Sequence, residues 1–161
     1  MKFSNKTVLV LGGDQRLLYL ANMLEEYFPH VWAYALEGAK GFNGIEIPDS
    51  LEKAIEGADV IVTPVPFTKD GKYLLTKDGT EILLSELIDH LKEDTVLFGG
   101  NIADSVLEGA KKKNIICFDF MKMEDIAVKN AITTAEGAIA EAITMSTQNV
   151  NQEECLILGY G

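Results

Sequence analysis

Short apolar stretches alternate with amphipathic ones along nearly the whole chain, and that alternation narrows the possible folds more than any other feature. Residues 6–11 read as a strand ending in Gly12-Gly13, and residues 15–28 carry Leu17, Leu18, Leu20, Ala21, Leu24 and Phe28 at helical spacing. Pro29 closes that helix and residues 31–36 form a second strand. A glycine-rich loop covers 38–44, and residues 45–47 are compatible with a short strand. Ser50 caps a helix with Leu51, Ala54 and Ile55 on its inner face. Strands at 59–63, 95–98 and 115–118 follow, with helices at 83–91 and 103–113, a short helical turn at 125–129 and a long helix at 133–149. Short strands that are hydrophobic throughout belong to parallel sheets covered by helices on both faces. The expectation is an α/β fold, a doubly wound and mostly parallel sheet in a flavodoxin- or Rossmann-like three-layer sandwich, with flavodoxin-like strand order as the first choice.

The alternation breaks once. Residues 67–84 hold Lys69-Asp70-Gly71-Lys72 and Lys77-Asp78-Gly79-Thr80, and Asp-Gly between apolar residues signals a hairpin, so an inserted β-hairpin or arm is expected. The last eight residues, Glu154-Cys155-Leu156-Ile157-Leu158-Gly159-Tyr160-Gly161, read as a buried strand running into Gly-x-Gly, the opening of a dinucleotide-binding βαβ unit. On that reading residues 1–150 form one α/β domain and residues 151–161 begin a dinucleotide-cofactor domain, with Gly159 and Gly161 beside the pyrophosphate. The alternative is a terminal strand with a flexible glycine tail.

A net charge of −11 and a pI near 4.6 argue against nucleic acid and anionic membrane surfaces as partners. No apolar run approaches the roughly 20 residues of a membrane span. Cys117 and Cys155 both sit in strand-like apolar runs and read as core thiols, which fits a reducing cytoplasm. Neither they nor His30 and His90 form a metal-ligand or general-base pattern, so no metal is expected.

Ligands of open α/β sheets bind beyond the carboxyl ends of the strands, and four segments fall there. In Gly12-Gly13-Asp14-Gln15-Arg16, the glycines allow close backbone approach and Arg16, the single arginine, can grip a carboxylate with two parallel hydrogen bonds. Equally, Arg16 can be a surface residue paired with Asp14 or a nearby glutamate. The loop is not a Gly-x-Gly-x-x-Gly fingerprint, since Asp14 and Leu17 stand in the later glycine positions. Thr63-Pro64-Val65-Pro66 is either a stiff strand exit or a ligand contact, and Gly99-Gly100-Asn101 a second close-approach loop. Finally, Thr133-Thr134-Ala135-Glu136 matches a capping box, and the helix start it implies doubles as an anion site. Gly137 inside that helix suggests close packing or ligand approach.

With those residues in view, the chain resembles the N-terminal domain of the dipicolinate synthase A-subunit family. The resemblance runs over essentially the whole chain. It is carried by Gly12-Gly13-Asp14-Gln15-Arg16, Thr63-Pro64-Val65-Pro66, Asn130-Ala131-Ile132-Thr133-Thr134-Ala135-Glu136-Gly137 and the terminal Leu156-Ile157-Leu158-Gly159-Tyr160-Gly161. Thr133 stands where family members commonly have proline. The resemblance implies a first domain of a D-2-hydroxyacid-dehydrogenase-like enzyme that oxidises dihydrodipicolinate to dipicolinate with NADP. It further implies the cytoplasm of the mother cell of a sporulating bacterium, and the smaller B-subunit of dipicolinate synthase as partner. A homo-oligomer stays open. Arg16 would hold one substrate carboxylate and Thr134 with nearby N–H groups the other, while Gly12, Gly13, Thr63, Pro64, Asn101 and Thr133 would line the site. Asp14 and Glu136 are the candidate bases. The segment alone is expected to be inactive. A small-acid-binding or partner-binding domain without catalysis, or a different 2-hydroxyacid dehydrogenase, are the rival readings.

Overall fold

Strand β1 (Thr7–Leu11) sits at the centre of the sheet because none of its four apolar residues can face water: Val8, Leu9, Val10 and Leu11 are all fully buried. Their side chains alternate between the two faces. Leu9 and Leu11 join a core with Ala54, Ile55, Leu87, Val106 and Ala110, while Val8 and Val10 join Leu18, Ala21, Phe28 and Val31 on the other side. The computed structural model describes residues 3–147, 149–151 and 154–158. The chain divides after Lys122 into two units, taken in turn.

In the first unit, β1 leads to α1 (Gln15–Leu24), β2 (His30–Tyr34), β3 (Ile45–Glu46), α2 (Leu51–Gly57), β4 (Val60–Val62), α3 (Leu84–His90), β5 (Val96–Gly99), α4 (Asp104–Lys112) and β6 (Ile116–Asp119). The six strands are all parallel, in the order β3-β2-β1-β4-β5-β6. The doubly wound α/β expectation holds. The strand order differs from the flavodoxin-like one by a single edge strand: Ile45 and Glu46 pair with Val31 and Trp32, which completes the Rossmann order. The Trp32 indole N–H, donating to Glu46 Oε2 at 3.1 Å, holds that two-residue strand in place. Ser50 caps α2 as its sequence predicts, accepting from the Lys53 N–H.

The helices are shared unequally. Residues of α2, α3 and α4 pack in one core and α1 alone supplies helix residues to the other. Beside α1 an apolar groove of about 420 Å³ is left, floored by Val60, Val62, Val96 and Phe98. Phe98 stacks on Phe118 and Phe120 there, with ring centroids 5.0 and 5.8 Å apart.

The insertion between β4 and α3 is an arm held by single bridges rather than a continuous ladder: Thr68 faces Leu74 and Tyr73 faces Leu83, both antiparallel. Asp70 explains the short pairing. Its carboxylate accepts from the Lys72 and Tyr73 N–H groups at 2.9 Å each, folding the turn on itself and removing donors a ladder would need.

In the second unit, the break expected between residues 129 and 133 does not occur. α5 (Glu124–Met145) runs unbroken, so Thr133 is not a cap and Glu136 does not close a capping box. Ala127, Ala131, Ala135 and Ala138 favour helix throughout. Thr134 satisfies its hydroxyl inside the helix by donating to the Asn130 carbonyl at 3.0 Å. Gly137 packs against nothing; a Cβ there would have no neighbour within 4 Å. Residues 154–158 form no strand. Leu156, Ile157 and Leu158 are strongly exposed, and Cys155 is exposed rather than in a core. A strand exists only through a pairing partner, and these residues have none among the described ones. Gly159 and Gly161 lie outside the described residues. No described helix is long and apolar enough to cross a membrane.

Candidate functional site

The strand order reverses between β1 and β4: the chain passes from β1 outward to β2 and β3, then returns to β4 on the other side of β1. In open α/β sheets, the gap opened by the loops at such a reversal is the habitual ligand crevice. Here the two loops lie side by side. Gly13, Asp14, Arg16 and Leu17 after β1, Pro64 and Val65 after β4, and Leu75 of the arm line a pocket of about 180 Å³.

Asp14 and Arg16 dominate its polar surface. Asp14 caps α1, accepting from the Arg16 N–H at 3.0 Å. The same carboxylate takes Arg16 Nε at 3.0 and 3.3 Å and Nη2 at 2.9 Å. The Asp14 pairing read from the sequence is present, and Arg16 also lines the crevice. The guanidinium side chain is 75% exposed, and Nη1 has no partner among the described residues. The Arg16 hydrogen bond, against a smaller opposing push from burial, holds the Asp14 carboxyl below its ordinary range, and the Lys77 charge acts the same way. That makes Asp14 a poor proton acceptor and a good anchor for Arg16.

Gly12 and Gly13 spend their closeness on the protein itself. Gly12 N–H donates to the Tyr34 carbonyl and Gly13 N–H to the Leu75 carbonyl, each at 2.9 Å. A Cβ on Gly12 would come within 2.8 Å of the Leu75 oxygen. The arm thus packs against the turn at which a dinucleotide-binding domain meets phosphate.

The other predicted residues divide. Pro64 is buried and lines the pocket, in a turn where the Val65–Pro66 peptide is cis. Thr63 is fully buried and its hydroxyl donates to the Phe98 carbonyl at 2.8 Å, so it is structural and does not face a ligand. Gly99 and Gly100 make room for Thr63, Phe67 and Val65, not for a ligand. Asn101 is exposed with φ of 57°, and its backbone N–H donates to Asp119. Thr133, Thr134 and Glu136 belong to the exposed length of α5, in the second unit.

Sequence reasoning missed Asp119, whose buried carboxylate accepts the N–H groups of Asn101, Ile102 and Met121 at 2.9, 3.1 and 3.0 Å. An acidic residue closing an apolar strand was its only signal. It also missed the arm's Leu75 and Thr76, which meet Gly13 through a hydrogen bond and a parallel bridge over a long range in the chain. Glu52 and Glu56, one turn apart on α2, meet His90 with ligand atoms within 4.8 Å; this largely solvent-facing cluster shares no residue with the crevice.

Known proteins are similar to this chain in fold and sequence. The family model for the N-terminal domain of the dipicolinate synthase A-subunit matches residues 7–121. A curated dipicolinate synthase A-subunit from Bacillus subtilis (strain 168) is 28% identical over 161 residues, covering 96% of this chain and 53% of the relative. The crystal structure of the Bacillus subtilis dipicolinate synthase A-chain aligns with a TM-score of 0.76 at 24% identity, over 92% of this chain and 51% of the other. The dipicolinate synthase A-subunit from Bacillus halodurans aligns with the same TM-score at 26% identity, over 93% and 52%. The chain spans about half the length of these relatives. An NAD-dependent formate dehydrogenase from Staphylococcus aureus, crystallised with NAD, shares the fold at a TM-score of 0.50 and 16% identity.

Proposed function

Since the chain belongs to the family of dipicolinate synthase A-subunit N-terminal domains, we propose that it forms the substrate-side part of an oxidoreductase that converts dihydrodipicolinate to dipicolinate. The observation that carries this reading is the family match across residues 7–121, which takes in the whole switch-point crevice. The crevice chemistry is consistent with it. The substrate is a small ring bearing two carboxylates, and the pocket is small, walled by Leu17, Pro64, Val65 and Leu75, and edged by a guanidinium.

Arg16 is assigned the first carboxylate. Asp14 fixes the guanidinium plane through Nε and Nη2, so Nη1 is presented without a search through rotamers. The reaction removes a hydride and a proton from the ring, and a bound nicotinamide, NADP in this proposal, supplies the hydride acceptor. The packing of the arm on the first βα turn supports a cofactor site elsewhere. The proposed holder is a dinucleotide domain opening at Gly159 and Gly161, with residues 1–150 as the substrate-side domain. Glu136 and Asp14 remain the carboxylates proposed for proton removal, Asp14 weakened in that role by its ion pair. The Thr134 hydroxyl donates to the Asn130 carbonyl at 3.0 Å, so holding the second carboxylate would require it to turn away from its own helix.

The relative's name marks it as one lettered component of a synthase, which supports a second component working with the longer protein. Its action in the cytoplasm of a sporulating cell belongs to the same proposal. The test is an assay of the full-length protein, with its partner, on enzymatically generated dihydrodipicolinate with and without NADP. Dipicolinate is followed by ultraviolet absorbance against an enzyme-free control. Enzyme- and NADP-dependent product is the expected result; product formed at the control rate sinks the proposal.

A further inference from the structure

A pocket that binds a dianion needs more positive charge than this crevice shows at first sight. Arg16 is neutralised by Asp14 at 2.9 Å, and the chain as a whole carries −11. With the Thr134 hydroxyl bonded to Asn130, the second carboxylate of the proposed substrate calls for a charged partner as well. The arm offers one. Thr76 forms a parallel bridge with Gly13, and the preceding Leu75 takes the Gly13 N–H at 2.9 Å while its side chain lines the pocket. On the far side, Asp78 accepts both the N–H and the hydroxyl of Thr80 at 3.0 Å, and the Thr76 hydroxyl donates to the Thr80 carbonyl at 2.6 Å. The backbone on both sides of Lys77 is therefore fixed beside the β1–α1 turn, while its side chain is exposed.

Resting on the dicarboxylate reading above, we propose that Lys77 is the second cation of the switch-point crevice and confers its preference for a substrate with two carboxylates. The three lysines of the arm are not equivalent. Lys69 stands at the other Asp-Gly turn, and the Lys72 ammonium lies 4.9 Å over the Tyr73 ring. Lys77 alone follows directly on the residue bridged to Gly13. Its charge reaches the Asp14 carboxylate, which places it within electrostatic range of Arg16's partner. An ammonium on a flexible stem suits this duty: Arg16 fixes one carboxylate in a set plane, and Lys77 follows the other as a point charge. This also gives the arm a purpose. Its Leu75 closes the turn against phosphate, and its next turn brings a positive charge in exchange.

The test is steady-state kinetics of the full-length protein on dihydrodipicolinate, comparing wild type with Lys77→Ala, Lys77→Arg and Lys69→Ala. Lys77→Ala is expected to raise KM roughly five- to tenfold at low salt, with kcat within about twofold. The gap should close as salt rises toward ~0.5 M, because screening removes in wild type what the mutation removes in the variant. Lys77→Arg should restore KM and Lys69→Ala should leave it alone; neither result follows from a merely structural role. An active wild type whose KM is unmoved by Lys77→Ala overturns this inference and leaves the reaction standing. An inactive wild type overturns the reaction and the inference together.

Discussion

Gly13 and Leu75 are joined by one hydrogen bond of 2.9 Å, from the Gly13 N–H to the Leu75 carbonyl, and that bond decides what the first βα turn can do. In a dinucleotide-binding domain the same turn presents its amides to a pyrophosphate. Here the arm takes the Gly13 amide through Leu75, and Tyr34 of β2 takes that of Gly12. The turn is left as a support for Arg16, and the crevice beside it is the one proposed to take a small acid.

Replacing Gly12 by alanine should be costly for two separable reasons. Its φ is 73°, which costs an L-residue about 1–2 kcal/mol, and its Cβ would lie 2.8 Å from the Leu75 oxygen. Gly71, at φ 74°, has nothing within 4 Å of a Cβ and isolates the backbone cost. Urea unfolding should show Gly12→Ala losing roughly 1–3 kcal/mol more than Gly71→Ala. Equal losses would mean that the arm does not press on the turn.

Asp119→Asn should destabilise the fold by about 2–3 kcal/mol, since a carboxylate accepting three backbone N–H groups is replaced by an amide that presents hydrogens to some of them. The urea midpoint is the measure. A change under about 0.5 kcal/mol, the ordinary surface value, would contradict the reading of Asp119 as the clamp of the β5–α4 turn.

Acid should weaken the fold through Asp14 and Asp70. Arg16 lowers the first; the Tyr73 and Lys72 N–H groups lower the second. Both carboxyls titrate lower in the folded chain than their ordinary 3.8. The unfolded chain therefore takes up protons first, and the stability these groups give is full above 3.8 and lost as pH falls below it. The urea midpoint should drop in that window, and the drop should shrink in Asp14→Asn. A midpoint that rises on acidification there would reverse the sign and refute the assignment.

The central strands were legible because they are apolar on both faces, as β1 shows with four fully buried residues in a row. The Ser50 cap was equally local, a hydroxyl reaching the Lys53 N–H. The capping box at Thr133 failed because the same two residue types are tolerated inside a helix when the threonine can bond its own turn, as Thr134 does. Thr63 looked like a ligand contact for its position at a strand end, and only the neighbouring strand's Phe98 carbonyl made it structural. Arg16 could be placed from sequence because the loop after the first strand is fixed by the fold. Lys77 could not, because the bridge between Gly13 and Thr76 joins positions far apart in the chain that no local pattern connects.

Gly137→Ala should stabilise α5. The position is inside the helix and a Cβ would meet nothing within 4 Å, so the backbone entropy returned is worth about 0.5–1 kcal/mol. Thermal unfolding followed by helical circular dichroism measures it. A loss of stability would mean that another surface packs closely on that face.

The central claim is that the switch-point crevice of this chain holds the substrate through Arg16. Its most direct test is the kcat/KM of the full-length protein for dihydrodipicolinate, measured for wild type and Arg16→Ala in parallel. Losing a charge-assisted carboxylate contact worth about 1.5–3 kcal/mol should lower kcat/KM by roughly ten- to hundredfold. An active enzyme whose kcat/KM is the same with and without the guanidinium would place the substrate elsewhere.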